Sequence, residues 1–248
     1  AEPLFRSSYI KGEEALMRCL IENEAEKGCV IMMDVETGFV EVMANLQYNP
    51  ATKKYEERWN VALGQSMEPG STFKAITMTA LLENDPYFNI HRVLDLGPTT
   101  TWTYVWYSKN GRGHSYHVRD SHHVKNGKPT VEEAFWESSN IAFSKLVVEY
   151  FEKEPEKFID LIYKTKINEP LNLEWKGEES KANIKSPMNR MWSYTSLPSM
   201  AMGYELKVTP MVLLTYYNAI ANNGKMMKPQ FVKEIARSEE RRVGKECR

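Results

Sequence analysis

The sequence predicts an α+β domain, in which one antiparallel hairpin near the N-terminus is followed by a mainly helical region. Apolar runs at residues 29–34 and 39–44 flank the turn residues Glu36-Thr37-Gly38, a pattern typical of a β-hairpin. Later segments combine helix-start residues with apolar positions at helical spacing. With 248 residues, of which 42% are hydrophobic, the chain is long enough to bury one large core.

The first half of the chain contains the hairpin and two predicted helices. The helix that precedes the hairpin is predicted over residues 13–26. A further helix is predicted to open within residues 68–74, because the apolar residues that follow recur at helical spacing. Ser71 then falls in the first turn of that helix. Residues 97–129 show no clear period and predict loops with short irregular strands.

Three more helices are predicted in the second half of the chain. Thr130-Val-Glu-Glu133 is a capping box, in which a hydroxyl and a carboxylate each satisfy a free backbone N–H group. It predicts a long helix that runs to about Lys153, with Ser138-Ser139-Asn140 inside it or at a break in it. The other two helices are predicted over residues 155–166 and, after a polar stretch to about Pro198, between Thr209-Pro210 and Asn223-Gly224.

Composition excludes several classes of function. The chain has 32 basic and 33 acidic residues and a formal charge of -1, so it has no basic field for a phosphate backbone and we expect no nucleic-acid partner. No apolar run approaches the roughly 18 residues of a spanning helix, so we expect the chain as given to be soluble and without a membrane anchor. Cys19, Cys29 and Cys247 are too few for a disulfide framework, and we expect Cys19 and Cys29 to be small buried residues.

Four of the five histidines lie together in the irregular region. No cysteine or carboxylate pattern supports a metal site there, so we expect no metal and no cofactor. The four are His114, His117, His122 and His123.

Ser71 and Lys74 form the first candidate catalytic pair. Residues three apart on a helix share a face, so the amine of Lys74 can reach the Ser71 hydroxyl as its base. The helix N-terminus adds partial positive charge and a backbone N–H group that suits an oxyanion. The four-residue pattern is weak alone, because 16 serines and 21 lysines produce it about 1.4 times by chance, and it occurs twice, at Ser71 and at Ser8 with Lys11.

Each of these residues also has a purely structural interpretation. A serine at a helix start is most often a cap, and a lysine such as Lys74 is most often a solvated surface charge. Ser-Ser-Asn within a long helix is also explained by a kink. The longer sequence around the motifs therefore decides between the two interpretations.

That longer sequence resembles the transpeptidase domain of class B penicillin-binding proteins, and is closest to the septal, cell-division branch. The similarity covers roughly residues 10–235, with the motifs in the family's order and spacing. It is carried by Glu68-Pro-Gly-Ser-Thr-Phe-Lys74, Ser138-Ser-Asn-Ile-Ala-Phe-Ser-Lys-Leu146, Met202-Gly-Tyr-Glu-Leu-Lys-Val-Thr-Pro210 and Tyr217-Asn-Ala-Ile-Ala-Asn-Asn-Gly224, together with the 28–45 hairpin.

The resemblance implies a role for each candidate residue. Ser71 is the nucleophile that is acylated by a D-alanyl-D-alanine stem peptide or by a β-lactam, and Lys74 is the base that takes its proton. Ser138 relays a proton to the leaving group. Asn140 binds the substrate amide carbonyl and helps to fix Lys74.

The resemblance also implies a fold, a process and a place. The fold is the β-lactamase/transpeptidase-like fold, an antiparallel sheet with helices on both faces plus a helical subdomain. The process is cross-linking of peptidoglycan stem peptides in cell-wall synthesis and cell division. The full-length parent is expected at the cell membrane, on its extracytoplasmic (periplasmic) face, with divisome or glycosyltransferase membrane proteins as partners.

The sequence departs from the family pattern near its C-terminus. The family's third motif, Lys-Thr-Gly or Lys-Ser-Gly, is absent, and its strand supplies the second oxyanion N–H group. We therefore expect residues 1–236 to be a partial transpeptidase domain with an incomplete sheet, truncated before that motif. Residues 237–248 carry eight charges in twelve residues, and we expect them to be a non-native tail.

Two alternatives to a transpeptidase stay open. One is a serine β-lactamase-like hydrolase on the same fold, for which we identify no deacylating base. The other is an inactive fragment that acts only as a binding or interaction module, because an incomplete sheet exposes an unpaired edge.

Overall fold

The secondary structure follows the predicted order of a hairpin and then helices, with added strands. The computed structural model describes residues 2–108, 110–173 and 179–232. In chain order its elements are α1 (Glu2–Glu22), β1 (Lys27–Met33), β2 (Val40–Asn49), β3 (Lys54–Glu56), α2 (Val61–Gly64), a 3-10 turn (Gly70–Phe73), α3 (Lys74–Asn84), β4 (Thr101–Tyr107), β5 (Gly113–Arg119), a second 3-10 turn (Val124–Gly127), α4 (Val131–Trp136), α5 (Asn140–Phe151), α6 (Pro155–Lys164), β6 (Asn183–Ile184), α7 (Ser196–Met200), β7 (Leu206–Lys207) and α8 (Pro210–Ala221).

The predicted N-terminal hairpin is confirmed as part of a three-stranded antiparallel sheet in the order β1-β2-β3. Its register pairs Lys27 with Gln47 and Ile31 with Met43, and a bulge lies between Met32 and Met33. The other described strands form two-stranded sheets, β4 with β5 and β6 with β7.

Helices cover both faces of the three-stranded sheet, because alternate residues of a strand point to opposite faces. On one face, Leu16 and Leu20 of α1 pack with Ala44 and Leu46 of β2. On the other face, the amide oxygen of Asn45 accepts a hydrogen bond from the backbone N–H of Ala62 in α2. Met33, Val40, Leu63 of α2 and Met211 of α8 form the apolar cluster of that second face.

The largest core lies among helices α3, α5, α6, α7 and α8, beside the sheet. Four phenylalanines in it are completely buried, and the rings of Phe151 and Phe158 lie 5.2 Å apart at the contact of α5 with α6. The four are Phe73, Phe143, Phe151 and Phe158. This core fixes α5 against α3, the two helices that begin at the candidate catalytic motifs.

Over residues 97–129 the predicted loops and short strands are present, but the prediction that the strands are irregular is wrong. β4 and β5 pair over seven residues each, from Thr101 opposite Arg119 to Tyr107 opposite Gly113. The sequence carried the signal, because Asn110-Gly111 follows aromatic residues at alternate positions, and Gly111 has a φ of +78°.

The helical segment predicted from Thr130 to about Lys153 is two helices, α4 and α5, and Ser138-Ser139-Asn140 lies at the break, one of its two predicted placements. The capping box that starts α4 is confirmed, with the Thr130 hydroxyl accepting from the backbone N–H of Glu133 and the Glu133 carboxylate accepting from that of Thr130. The break follows because Ser138 adopts a left-handed φ of +54° and Ser139 caps α5 with its own hydroxyl.

Other helix bounds also differ from the prediction. The first helix begins at Glu2, eleven residues before the predicted start, and ends at Glu22, four residues before the predicted end. Glu24 takes a φ of +50° before β1. The predicted end of α6 at residue 166 is two residues late. The short α7, Ser196–Met200, lies at the end of the polar stretch and includes Pro198, and all of its residues are buried. The start of α8 is confirmed, with the Thr209 hydroxyl as its cap and proline in its first turn.

Cys19 and Cys29 are both free thiols. Cys19 is exposed, so the prediction that it is buried is wrong, because α1 turns that side to solvent. Cys29 is half-buried, and burial raises the pKa of its thiol to about 11. His122 contacts Glu137 at 2.9 Å, and His117 contacts Thr103 at 3.0 Å. Across the described part of the chain, no three or more histidine, cysteine or carboxylate groups are placed to hold a metal ion.

Among residues 2–108, 110–173 and 179–232, no helix combines the length and the apolar character needed to cross a membrane. Cys247 and the predicted tail at 237–248 lie outside the described residues.

The cap of α4 gives a stability prediction. Replacing Thr130 with alanine removes the hydroxyl that accepts from Glu133 N at 3.1 Å, and we expect the free energy of unfolding to fall by about 1 kcal/mol. Thr130→Ser keeps the hydroxyl and should retain most of that stability. Urea unfolding of both variants measures the difference, and an equal loss in both would contradict a role for the hydroxyl.

Candidate active site

Ser71 lies in a 3-10 turn at the start of α3, one turn before Lys74. The turn begins at Gly70, whose φ of +56° suits glycine. The prediction placed Ser71 in the first turn of a helix, and the structure makes that turn 3-10 rather than α-helical. Ser71 is exposed, whereas Lys74 is only 1% exposed. The Ser71 hydroxyl is therefore accessible to solvent, whereas the Lys74 amine beside it is buried.

The amine of Lys74 contacts four oxygen atoms from two separate segments. Its Nζ lies 3.0 Å from Ser71 Oγ, 3.0 Å from Ser138 Oγ, 2.7 Å from the Ser138 carbonyl oxygen and 2.7 Å from Asn140 Oδ1. The structure thus brings all four residues singled out by the sequence together around one nitrogen atom.

The number of hydrogen atoms on the amine limits how these contacts are used. The Ser138 carbonyl and Asn140 Oδ1 can only accept, so they take two N–H groups in either charge state. In the ammonium form, the third N–H points to a hydroxyl. In the neutral form, a lone pair points there instead and can accept a proton from Ser71 or Ser138. The shorter contacts, at 2.7 Å, are those to the two pure acceptors.

The break between α4 and α5 presents Ser138 and Asn140 to the amine. Ser139 is buried, and its Oγ accepts from the backbone N–H of Ala142 at 3.0 Å, which starts α5. Asn140 Nδ2 donates to the carbonyl of Arg119 at 2.9 Å. Because the amide nitrogen is used there, the amide oxygen faces Lys74.

Burial sets the proton affinity of Lys74. Loss of solvent disfavours the charged amine and lowers its pKa from 10.5 to about 8, although the negative charge of Asp120 acts in the opposite direction. The aromatic ring of Phe143 lies 6.0 Å from the amine. A lysine with this pKa has a useful neutral fraction near pH 7 and suits a general base.

Residues distant in sequence hold in place the 3-10 turn Gly70–Phe73, here called the nucleophile turn because it contains Ser71. The N–H of Gly70 donates to the carbonyl of Gly203 at 3.1 Å, and the Tyr217 hydroxyl donates to the carbonyl of Thr72 at 2.7 Å. The carboxylate of Glu68 accepts from the N–H of Glu205 at 2.9 Å. Sequence reasoning assigned no role to these residues, although all lie in the strings that carried the family resemblance.

Comparisons with known proteins identify relatives of this chain. A sequence model described as "Penicillin binding protein transpeptidase domain" matches residues 28–246. A probable peptidoglycan D,D-transpeptidase PbpC of Pseudomonas aeruginosa is 24% identical over 234 residues, which cover 93% of this chain and 38% of that protein. The peptidoglycan D,D-transpeptidase FtsI of Escherichia coli strain K12 is 30% identical over 208 residues, covering 82% of this chain and 32% of FtsI. The chain therefore spans about a third of the length of these curated relatives.

A solved structure shares the fold. The TP domain of Burkholderia pseudomallei penicillin-binding protein 3, in its apo form, superimposes with a TM-score of 0.67 at 20% identity, over 90% of this chain and 59% of that chain. The likeness supports the expected fold, in which helices lie on both faces of an antiparallel sheet beside a helical region.

The contact between Gly203 and Gly70 gives a prediction with a matched control. Gly203 has a φ of +85°, and a Cβ atom there would lie 2.1 Å from the Gly70 carbonyl oxygen. Gly224 has the same φ, but a Cβ atom there meets nothing within 4 Å. We expect Gly224→Ala to lower the free energy of unfolding by about 1–2 kcal/mol for the left-handed backbone. Gly203→Ala should lower it by about 1–3 kcal/mol more, because the nucleophile turn must move.

Chemical denaturation of the two variants measures this difference directly. Equal losses of stability would show that the approach of Gly203 to Gly70 does not constrain the turn.

Proposed function

The chain belongs to the penicillin-binding protein transpeptidase family, and on that basis we propose that it is a serine D,D-transpeptidase acylated on Ser71. The proposed reaction cross-links peptidoglycan stem peptides in cell-wall synthesis and cell division. One observation supports it above all: the buried Lys74 amine contacts Ser71 Oγ, Ser138 Oγ and Asn140 Oδ1 within 3.0 Å.

The proposed acylation begins with the neutral form of Lys74. Its lone pair takes the proton of Ser71 while Oγ attacks the carbonyl carbon of the penultimate D-alanine. The N–H of Ser71, in the first turn of a helix, is a donor for the oxyanion. The proton passes from Lys74 through the Ser138 hydroxyl to the nitrogen of the leaving D-alanine as the peptide bond breaks.

The second half of the reaction releases the acyl group. An amino group of a neighbouring stem peptide attacks the ester carbonyl, the ester bond to Ser71 Oγ breaks, and the proton of that amino group returns to the serine. Asn140 is proposed to orient the substrate amide as well as Lys74. In the structure its amide nitrogen donates to the carbonyl of Arg119 at 2.9 Å. To bind the substrate carbonyl, this nitrogen would donate its second N–H group to the substrate or give up the bond to Arg119.

The place and partners of the protein follow from the same proposal. The full-length parent is proposed to act at the extracytoplasmic face of the cell membrane, next to divisome or glycosyltransferase membrane proteins. The substrate is a stem peptide that ends in D-Ala-D-Ala, and β-lactams, which resemble that terminus, are the covalent inhibitors.

A serine β-lactamase and a non-catalytic binding module are the two alternatives. The first predicts rapid loss of a penicilloyl adduct, and the second predicts that no adduct forms. The lifetime of the adduct therefore separates all three functions.

The nucleophile is tested by labelling with benzylpenicillin. We expect the full-length gene product to gain one penicilloyl mass, located on the peptide that contains Ser71, because only an activated serine opens the β-lactam ring efficiently. Ser71→Ala should abolish the adduct, while Ser66→Ala, five residues earlier, should leave it unchanged. Intact-protein and peptide mass spectrometry provide the measurement.

Three results would count against this assignment. They are the absence of an adduct on the wild-type gene product, an equal adduct on Ser71→Ala, and turnover of penicillin within seconds.

The pH dependence of acylation tests Lys74 as the base. The pKa of Lys74 is lowered to about 8, and only the neutral amine accepts a proton, so the rate should rise with pH and level off above about pH 8. At pH 7 the rate should be about a tenth of its plateau, the fraction of amine that is then neutral. Labelling with benzylpenicillin, quenched at fixed times between pH 6 and 10, measures the rate profile. A flat profile, or one whose midpoint lies near 10.5, would exclude this role.

A further inference from the structure

The carboxylate of Asp120 lies between the end of β5 and the start of α5. It accepts three hydrogen bonds from residues 139–141, the segment that contains Ser139 and Asn140, and Asp120 is half-buried. Asp120 Oδ2 lies 2.7 Å from Ser139 Oγ, and Oδ1 lies 2.6 Å from the backbone nitrogen of Asn140 and 3.1 Å from that of Ile141. The carboxylate thus fixes the first residues of α5 to the β4-β5 hairpin.

The preceding residue on β5 fixes the side chain of Asn140. The carbonyl of Arg119 accepts from Asn140 Nδ2 at 2.9 Å, which leaves Oδ1 directed at Lys74. Two consecutive residues therefore determine both where the backbone of Asn140 lies and which way its amide points.

A helix cap alone does not account for this carboxylate. Ser139 already caps α5, with its Oγ accepting from Ala142 N at 3.0 Å. Asp120 adds a charge and three further bonds at a point where Ser138 holds a left-handed φ of +54°. A left-handed backbone conformation is unfavourable by about 1–2 kcal/mol for serine, so the surrounding contacts must stabilise it.

The charge of Asp120 also acts on the amine. The groups that contact or face Lys74 Nζ are otherwise neutral: the hydroxyls of Ser71 and Ser138, the Ser138 carbonyl, the Asn140 amide and the ring of Phe143. Among the described residues, Asp120 supplies the negative charge that raises the pKa of Lys74, in opposition to burial, which lowers it.

We propose that Asp120 is a positioning residue for acylation, which holds residues 138–140 against the Lys74 amine and places a fixed negative charge near it. The inference rests on the proposed function, because it concerns the same acylation step. Asp120 acts through Asn140 and Lys74, and it does not enter the reaction itself.

Two variants of Asp120 separate its geometry from its charge. Asp120→Asn keeps an oxygen that can accept from the backbone of Asn140 but removes the charge, so the pH midpoint of penicillin acylation should fall by roughly half a unit or more. The plateau rate should stay within a few-fold of wild type. Asp120→Ala also removes the acceptor, and its plateau should fall on the order of 10- to 100-fold as Asn140 and Ser138 shift.

Glu133→Gln is the matched control. It also removes a carboxylate that accepts from a backbone N–H group at a helix start, that of Thr130 at 2.9 Å. We expect the midpoint and the plateau of wild type in this variant, with only a loss of stability.

Hydrogen exchange supplies a measurement that does not depend on acylation. The backbone amides of Asn140 and Ile141 should lose protection in Asp120→Ala but keep it in Glu133→Gln. If wild type is acylated while Asp120→Ala matches its midpoint, plateau and protection, the inference about Asp120 fails and the proposed function stands. An equal midpoint shift in Glu133→Gln also overturns it. If wild type is not acylated, the proposed function fails, even where the amides of Asn140 and Ile141 lose protection.

Discussion

The active site depends on burying one lysine amine, that of Lys74, among oxygen atoms. A buried amine is unfavourable unless each of its N–H groups has an acceptor. Here the acceptors come from the nucleophile turn and from the break before α5, which lies 64 residues further along the chain. A shift of either segment removes at least one of the contacts of the amine, so the burial that lowers the pKa of Lys74 also penalises disorder of the site. Reactivity and rigidity have the same physical origin here.

The helical core supplies the fixed frame for this arrangement. Phe73 and Phe143 are both completely buried, and each lies next to a catalytic motif, at the start of α3 and near the start of α5. Two residues distant in sequence hold the backbone of the nucleophile turn: the Gly203 carbonyl accepts from Gly70 N–H, and the Tyr217 hydroxyl donates to the Thr72 carbonyl. Ser71 can therefore stay accessible to a substrate while its backbone is fixed from both sides.

Local signals explain what the sequence could predict. The capping box at Thr130 and the start of α8 depend on residues within about four positions of one another, and the hairpin depends on two apolar runs joined by a short turn. All three are confirmed. The pairing of Ser71 with Lys74 is also local, because three residues span one face of a turn. The contribution of Ser138 depends on a contact 64 residues away, and it was reached only through the family resemblance. Asp120 is not predicted as a site residue because its bonds join the loop after β5 to the start of α5, and the sequence shows no clear period over residues 97–129.

The break between α4 and α5 is what makes the Ser138 carbonyl available to Lys74. In a continuous helix that carbonyl would accept from the N–H group of residue 142, four positions later. In this chain the hydroxyl of Ser139 accepts from Ala142 N instead, while donating to Asp120. The carbonyl of Ser138 is thereby free, and it accepts from Lys74 at 2.7 Å. The left-handed backbone at Ser138 costs about 1–2 kcal/mol. The bonds to Lys74, Ala142 and Asp120 offset that cost. The break therefore weakens the helix but supplies the Ser138 carbonyl that the site needs.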